Sequence, residues 1–424
     1  MENKFDLIII GGGAAGLVAA ISAYRAHPTL KIAVIDRSPG PGRKILVCGA
    51  GRCNLTNVGL KNKPADKYYG QKSNFINQIF GNFGFGAIHD FFAEIGIPLI
   101  EDKKEGLGKV YPLTHQSSTV RDLLYDECLR NQVEFFLETN CDQIFNDGQG
   151  FQVNLTSESG LKLKLSSEFL ILAAGGQSYP QLGANGSGFT LAESLGHQII
   201  TPVPVAVPLE AKNALSQLLQ NVHQDVQATA VISSQDVKTI NGEIIFTKYG
   251  FSGPAILNLS HEFSVAINRN QNFDTWIKFN FLPQFSAEQL KKELIGRWKK
   301  RPLQQLLYSL YGLLPDKFAL RFPEFLKIAA SLPVQKLSLK EINKLLSALQ
   351  NTRFQITGTK GWENAEFTAG GIDTREIQPQ TMQSKLIKNF YLAGEVVDID
   401  GMIGGYNLSW AFASGWVAGL LKKK

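Results

Sequence analysis

Cysteine is scarce in this chain, with four residues among 424, which excludes a disulfide-built scaffold and points to a reducing, cytoplasmic setting. Long apolar runs are lacking too. No uninterrupted stretch reaches the ~18 residues of a membrane-spanning helix, so no membrane partner is expected. The apolar stretch 5–10 runs straight into glycine, which argues against a secretory signal. No internal repeat and no low-complexity tract occurs, and no metal site is expected. Charged residues make up 19% and hydrophobic residues 44%, so the composition is globular, not disordered. What is abundant is glycine. Its 40 residues fall in clusters, as expected where backbone is shaped around a ligand.

A chain of 424 residues exceeds one ordinary core and suits two or three domains. Residues 5–10 are a β-branched apolar run of the kind found in buried parallel strands. Residues 14–26 are alanine-rich and helix-favouring, and 31–36 (KIAVID) read as a second strand, which completes a βαβ opening. Further strands are expected at 169–174 and 389–394, with a last helix over 408–421. Between these, short alternating stretches such as 228–232 and 243–246 predict antiparallel strands. From Ser286 the pattern turns helical. Ser286 with Gln289, and Ser338 with Glu341, have capping-box spacing, and Pro302, Pro315, Pro323 and Pro333 are expected to break the segment into short helices. The predicted fold is α/β, with a discontinuous Rossmann-like domain over 1–200 and 354–424. It carries a β-rich lobe over 201–285 and a basic helical subdomain over 286–353.

Gly11-Gly12-Gly13-Ala14-Ala15-Gly16 supplies the G-x-G-x-x-G pattern between strand and helix. Gly11 permits the sharp turn, Gly13 lets backbone approach a pyrophosphate, and Gly16 lets the helix sit close to the sheet. Ala14 and Ala15 open a helix whose N–H groups and dipole favour phosphate. Asp36 ends the second strand at the right distance for the adenosine ribose, with Arg37 beside it. The alternative is a glycine turn without ligand.

A nicotinamide dehydrogenase needs only this half-site, whereas an FAD enzyme needs a second set of contacts. Gly394 and Glu395 end a strand with an acid placed to meet ribityl hydroxyls, and Asp398 follows. Gly404, Gly405, Tyr406, Asn407 and Leu408 lead into the last helix, whose N-terminus suits negative charge at the flavin ring. The strand before Ala174, Gly175 and Gly176 ends at the same side. Gly42, Arg43 and Lys44, then Gly51, Arg52, Cys53 and Asn54, follow the ribose acid and are expected to run along the cofactor.

The segments GRKILVCGAGRCNLTN, GGQSYPQLGANGSG, IFTKYGFSGPAIL, TAGGIDTREIQPQTMQSK and YLAGEVVDIDGMIGGYNLSWAFASGWVAG carry a resemblance from the first strand to the last helix. They resemble a bacterial flavoprotein family variously described as aminoacetone-oxidase-like, bile-acid-reductase-like or ribosomal-RNA dihydrouridine-synthase-like. The resemblance implies FAD, a glutathione-reductase-like cofactor domain, an inserted β-barrel-like lobe and NAD(P)H as transient electron donor. The family usually shows serine at the position of Cys48 and arginine at that of Lys109.

Cys48 and Cys53 stand in C-x4-C spacing beside the expected flavin, as the redox pair of a flavin disulfide reductase does. That reading needs a second strict glycine fingerprint and a C-terminal histidine. Neither occurs, the last histidine being His261. Cys53 alone is the candidate catalytic proton donor for reduction of a C=C bond, the alternative being a thiol packed in a tight loop. Cys128 and Cys141 are assigned to core packing.

Residues 286–353 hold thirteen basic and five acidic side chains, against a net +6 for the whole chain. Such a concentrated excess fits a phosphate-backbone partner, with ribosomal RNA the partner that the resemblance suggests. Trp298, Tyr308 and Tyr311 are candidates for base stacking or for the core. Solvated basic faces are the alternative for the charge, and a solvated tail is expected for Lys422, Lys423 and Lys424. Three functions compete: reduction of uridine to dihydrouridine in ribosomal RNA, a small-molecule reductase or amine oxidase, and an RNA-binding protein with structural FAD.

Overall fold

The computed structural model describes residues 4–70, 72–103 and 107–421, and the lysine run 422–424 lies outside them. The chain forms two compact units, one of residues 1–202 and 367–424, the other of residues 203–366.

The first unit is built on a parallel sheet of β1 (Leu7–Ile10), β2 (Ile32–Ile35), β3 (Glu134–Phe136), β4 (Phe169–Leu172) and β5 (Phe390–Leu392), in the order β5-β4-β1-β2-β3. Leu7 lies opposite both Phe169 and Ile32, so β1 is central and the order reverses beside it. All four residues of β1, β2 and β4 are buried, which is why these strands read as continuous apolar runs without alternation. Helix α1 (Ala14–Ala26) packs along α3 (Tyr406–Gly419), the one near the start of the chain and the other near its end. Small residues make this possible. A Cβ on Gly415 would lie 2.3 Å from the Ala15 carbonyl oxygen, and one on Gly419 2.3 Å from that of Ala19. The outer face of α3 is held by rings: Trp416 stacks on Phe83 at 4.7 Å and Phe412 meets Phe92 edge-on at 4.9 Å. An antiparallel meander of Thr139–Asn146, Phe151–Ser157 and Lys162–Ser167 precedes β4, an addition to the elements expected from sequence.

The second unit holds a seven-stranded antiparallel sheet. Its longest members are His223–Ile232 and Gln235–Thr247, joined by a hairpin. The helices Ala287–Lys300 and Leu339–Asn351 both start with complete capping boxes at Ser286 and Ser338. The expected division at 285/286 is corrected. Phe246, Phe251, Phe279, Phe281, Phe318, Phe322 and Leu345 belong to one buried core, so strands and helices cover each other. The expected boundary at 353/354 moves as well, because Phe354 pairs with Ile277 and Gly358 with Glu210 inside this sheet. Pro323 does not break a helix. It sits near the end of Asp316–Phe325, where the ring is buried in the core. Trp298 is 7% exposed and donates its indole N–H to Ser309 Oγ at 3.0 Å, so it is a core residue and not a stacking platform. Tyr308 stays 51% exposed, edge-on to Tyr311.

Candidate functional site

The carboxyl ends of β1, β4 and β5 bring three glycine-bearing turns together at the place where the strand order reverses, the usual ligand crevice of open parallel sheets. Gly11 has φ +104°, and a Cβ there would sit 2.3 Å from the Ala173 carbonyl oxygen. A Cβ on Gly16 would lie 1.9 Å from the Gly11 carbonyl oxygen, which ties helix α1 tightly to its own turn. Gly13 differs from both. Apart from its own chain neighbours, no protein atom lies within 4 Å of where its Cβ would be, and the same is true of Gly175 in the β4 turn. These two glycines therefore front open space, while Gly11 and Gly16 serve the close approach behind it. Ala14, Ala174 and Gly175 are half-buried and share this edge, and Ala15 packs under the Gly394 turn, where a Cβ would lie 2.8 Å from its methyl. Gly13 and Gly405 begin α1 and α3 with no side-chain cap, so the first N–H groups of both helices have no side chain filling them.

Asp36 is half-buried and oriented by two backbone donors, Gly12 N–H to Oδ2 at 2.7 Å and Ser38 N–H to Oδ1 at 2.8 Å. Each oxygen keeps lone pairs for a further donor. Arg37 donates to Ser187 Oγ at 3.1 Å. Gly42, at φ +70°, donates its N–H to the Gly12 carbonyl at 2.9 Å and so brings helix α2 (Arg43–Val47) to the turn.

A polar cluster occupies the base of the site. Lys44 Nζ donates to Glu395 Oε2 and to Ser178 Oγ, each at 2.7 Å. The second oxygen of Glu395 accepts from Thr368 N–H at 2.7 Å and Ser178 Oγ at 3.1 Å. Thr368 Oγ1 in turn accepts from Gln177 N–H at 2.9 Å, and Gly176 leaves room for it, since a Cβ there would lie 2.2 Å away. Glu395, expected to meet ribityl hydroxyls, is thus already held by three donors of this chain. Asp398 is also corrected. It is buried, and its carboxylate accepts from Lys72 Nζ at 2.5 Å while its carbonyl accepts from the same ammonium.

The turn before α3 is braced from within. Asn407 accepts from Gly401 N–H at 2.8 Å and donates to the Gly401 carbonyl at 2.9 Å. Asn57 donates to the Gly404 carbonyl at 2.9 Å, and a Cβ on Gly405 would lie 2.6 Å from the Thr56 carbonyl oxygen. Tyr406 is buried, its carbonyl accepting from Tyr68 Oη at 2.8 Å, and burial raises its phenol. Leu408 packs on the main core, and Asn54 is buried, accepting from Val110 N–H at 3.3 Å. Asn407, Asn54 and Tyr406 thus shape the site's walls by holding backbone. Sequence reasoning missed Thr368, Lys72 and Asn57. Lys72 meets Asp398 across 326 residues, and no local pattern announces such a pair.

Cys53 is 0% exposed, covered by protein atoms alone, at φ +59°. A side chain so enclosed opens onto no ligand surface, so the proton-donor role is withdrawn. A hydrogen bond with Cys48 and then burial push its thiol well above the usual range. Gly51 is half-buried, and the neighbouring Arg52 lies 4.9 Å over the Tyr111 ring. Cys128 is buried in the core, and Cys141 is only partly covered, its thiol pushed up to about 12 by burial.

The chain matches the family described as HI0933-like protein Rossmann domain over residues 5–421. It is 32% identical over 411 residues to the 3-dehydro-bile acid delta(4,6)-reductase of Clostridium scindens, covering 97% of each chain. It is 31% identical over 414 residues to the ribosomal RNA dihydrouridine synthase of Escherichia coli, covering 98% of this chain and 97% of that protein. Among solved structures, a 3-ketosteroid delta1-dehydrogenase from Sterolibacterium denitrificans shares the fold at a TM-score of 0.52 and 11% identity, covering 98% of this chain and 99% of that one. A glycine turn over a parallel sheet, two uncapped helix starts and a ribose-ready carboxylate are what a dinucleotide of two phosphates requires, and that donor set agrees with the match. The chain belongs to the HI0933-like family of FAD-binding Rossmann proteins.

Proposed function

We propose that this chain is an FAD-dependent reductase of a carbon–carbon double bond conjugated to a carbonyl, with NAD(P)H as electron donor and uridine in ribosomal RNA as its first substrate. The observation carrying the reaction type is the full-length similarity to proteins named as a bile-acid delta(4,6)-reductase and a ribosomal RNA dihydrouridine synthase. Both names describe hydrogen added across such a bond.

Bound FAD supplies two-electron hydride chemistry. The residues of this chain supply binding and orientation. The N–H groups opened by Gly13 at the start of α1 would hold the pyrophosphate, and Asp36 the adenosine ribose. Gly175 admits the chain of the cofactor along the β4 turn, and the uncapped start of α3 offers N–H groups to the ring end. Lys44, fixed by Glu395 and Ser178, provides a positive charge at the same edge. In the pyrimidine, hydride adds at C6, the electron pair moves towards the C4 carbonyl, and C5 takes a proton.

The RNA substrate rests on the charge of residues 286–353 and on the exposure of Lys291, Lys292, Lys299, Lys300 and Arg301. A uridine inside folded RNA must leave its stack to be reduced, so a pre-assembly RNA is the expected form. The test is mass analysis of ribosomal RNA incubated with FAD-loaded protein and NADPH. A uridine heavier by about 2 Da supports the assignment, two hydrogens being the whole change. RNA left unchanged rejects it. A small enone is the second reading, favoured by the 32% identity to the bile-acid reductase, and turnover of a steroid dienone with RNA inert would establish it.

A further inference from the structure

The segment between α2 and Asn54 folds back on itself through left-handed backbone. Gly49, Ala50, Gly51 and Cys53 have φ of +56°, +55°, +81° and +59°. The Cys48 carbonyl accepts from Gly51 N–H at 3.1 Å and from Cys53 N–H at 3.0 Å. This closure brings the backbones of Cys48 and Cys53 into direct contact, and both residues are free cysteines. Ser117 braces the loop from outside, its N–H donating to the Gly51 carbonyl at 2.8 Å and its hydroxyl to the Leu46 carbonyl at 2.7 Å. The environments of the two sulfurs differ. Cys48 is half-buried and reachable, whereas Cys53 is fully enclosed. A reachable thiol paired with an enclosed one is the arrangement of an attacked cysteine with its resolving partner.

We propose that Cys48 and Cys53 form a site of reversible oxidation, closing a disulfide when a hydroperoxide reaches Cys48. The Cys48 sulfur attacks one peroxide oxygen, the O–O bond breaks, and the thiol's proton leaves with the departing alcohol or water, so that a sulfenic acid remains. The Cys53 sulfur then attacks the Cys48 sulfur, the S–S bond forms, and the S–O bond breaks. The hydroxyl leaves as water with the Cys53 proton. Two thiols lose two electrons and the hydroperoxide gains them, and a dithiol reductant restores the pair. The bridge spares Cys48 from irreversible over-oxidation and staples the loop that carries Gly51 and Arg52. Oxidation of the pair is independent of the enzyme's substrate. It also differs from a disulfide-reductase role, since no electrons pass from the pair to a substrate.

The experiment is peroxide treatment of the FAD-loaded protein, alkylation under denaturing conditions and tryptic digestion without reductant. Cleavage after Lys44, Arg52 and Lys61 places the cysteines on separate peptides, 45–52 and 53–61, so the bridge appears as one linked species. Expected are that species, its separation by dithiothreitol, and the loss of two of the four alkylatable thiols. Cys53→Ser is expected to send Cys48 on to the sulfinic acid, about 32 Da heavier, and Cys48→Ser to lose no thiol. Four thiols surviving in the unaltered protein overturn the proposal. So does sulfinic Cys48 beside a still-free Cys53. Both of these outcomes are read on the unaltered protein, whether or not either variant folds.

Discussion

Replacing Gly13 with alanine separates the ligand cradle from the fold. The backbone at Gly13 has φ −77° and ψ −169°, which alanine adopts without strain, and beyond its chain neighbours no protein atom lies within 4 Å of the added methyl. The cost to the fold is the weaker N-cap alone, about 1 kcal/mol or less. The same methyl would take up open space at the start of α1, where the proposed function puts the pyrophosphate. Losing one charge-assisted hydrogen bond there costs about 1.5–3 kcal/mol, a roughly ten- to hundredfold weaker FAD affinity. Gly16→Ala provides the contrast. Its methyl would lie 1.9 Å from the Gly11 carbonyl oxygen, so the turn itself must move. Titration of apoprotein with FAD, followed by flavin fluorescence, gives the affinity, and thermal unfolding of the same apoprotein gives the fold. Gly13→Ala should lose affinity with Tm within a few degrees, whereas Gly16→Ala should lose both. Wild-type FAD affinity in Gly13→Ala would refute the placement of the pyrophosphate.

Other consequences concern the cluster, the packing of α3, acid sensitivity and the basic helices. Lys44→Met should lower stability and shift the bound flavin's absorbance, and a double-mutant cycle with Glu395→Gln should give a coupling of about 1 kcal/mol for this half-exposed pair. An unchanged spectrum would detach Lys44 from the cofactor. Gly415→Val should cost about 3 kcal/mol or more, because its Cβ has no room beside the Ala15 carbonyl, and urea unfolding measures it. His197 donates from Nδ1 to Glu376 Oε2 at 2.9 Å and pairs through Nε2 with Ser384 Oγ at 3.0 Å, and burial lowers its pKa against the opposing pull of Glu376. The unfolded chain therefore binds the proton more readily, so this contribution is present above the ordinary histidine range and is lost as pH falls below it. His197→Gln should flatten the decline of Tm between about pH 7 and 5, and an unaltered slope would contradict it. Reversing Lys299, Lys300 and Arg301 to glutamate should weaken ribosomal RNA binding and reduce its log-log salt dependence by roughly 0.7–0.9 per lost phosphate contact.

The glycine turn was legible because its chemistry is local. Gly11 and Gly16 answer to steric contacts within a few residues, and Asp36 lies at the end of the very next strand. The capping boxes at Ser286 and Ser338 were legible for the same reason, each being a bond between residues three apart. Long-range pairings were not. Glu395 looked like a free ribityl acceptor because its partners Lys44, Ser178 and Thr368 come from three distant segments. Asp398 looked free until Lys72 reached it. The helices after Ser286 read as a separate body because their polar faces dominate the sequence. Only the shared phenylalanine core, with Phe281 edge-on to Phe318 at 4.9 Å, shows that they complete the β-sheet unit. Cys53 shows the converse error, a reactive residue type placed near a cofactor motif yet buried in the core.

The most direct test of the reductase assignment is anaerobic stopped-flow absorbance of the FAD-loaded protein. NADPH is mixed first, followed by ribosomal RNA or a steroid dienone. The account predicts that NADPH bleaches the yellow flavin band and that one of the two acceptors restores it without oxygen, RNA being the expected one. A flavin that NADPH leaves oxidised, or that only oxygen restores, would contradict it.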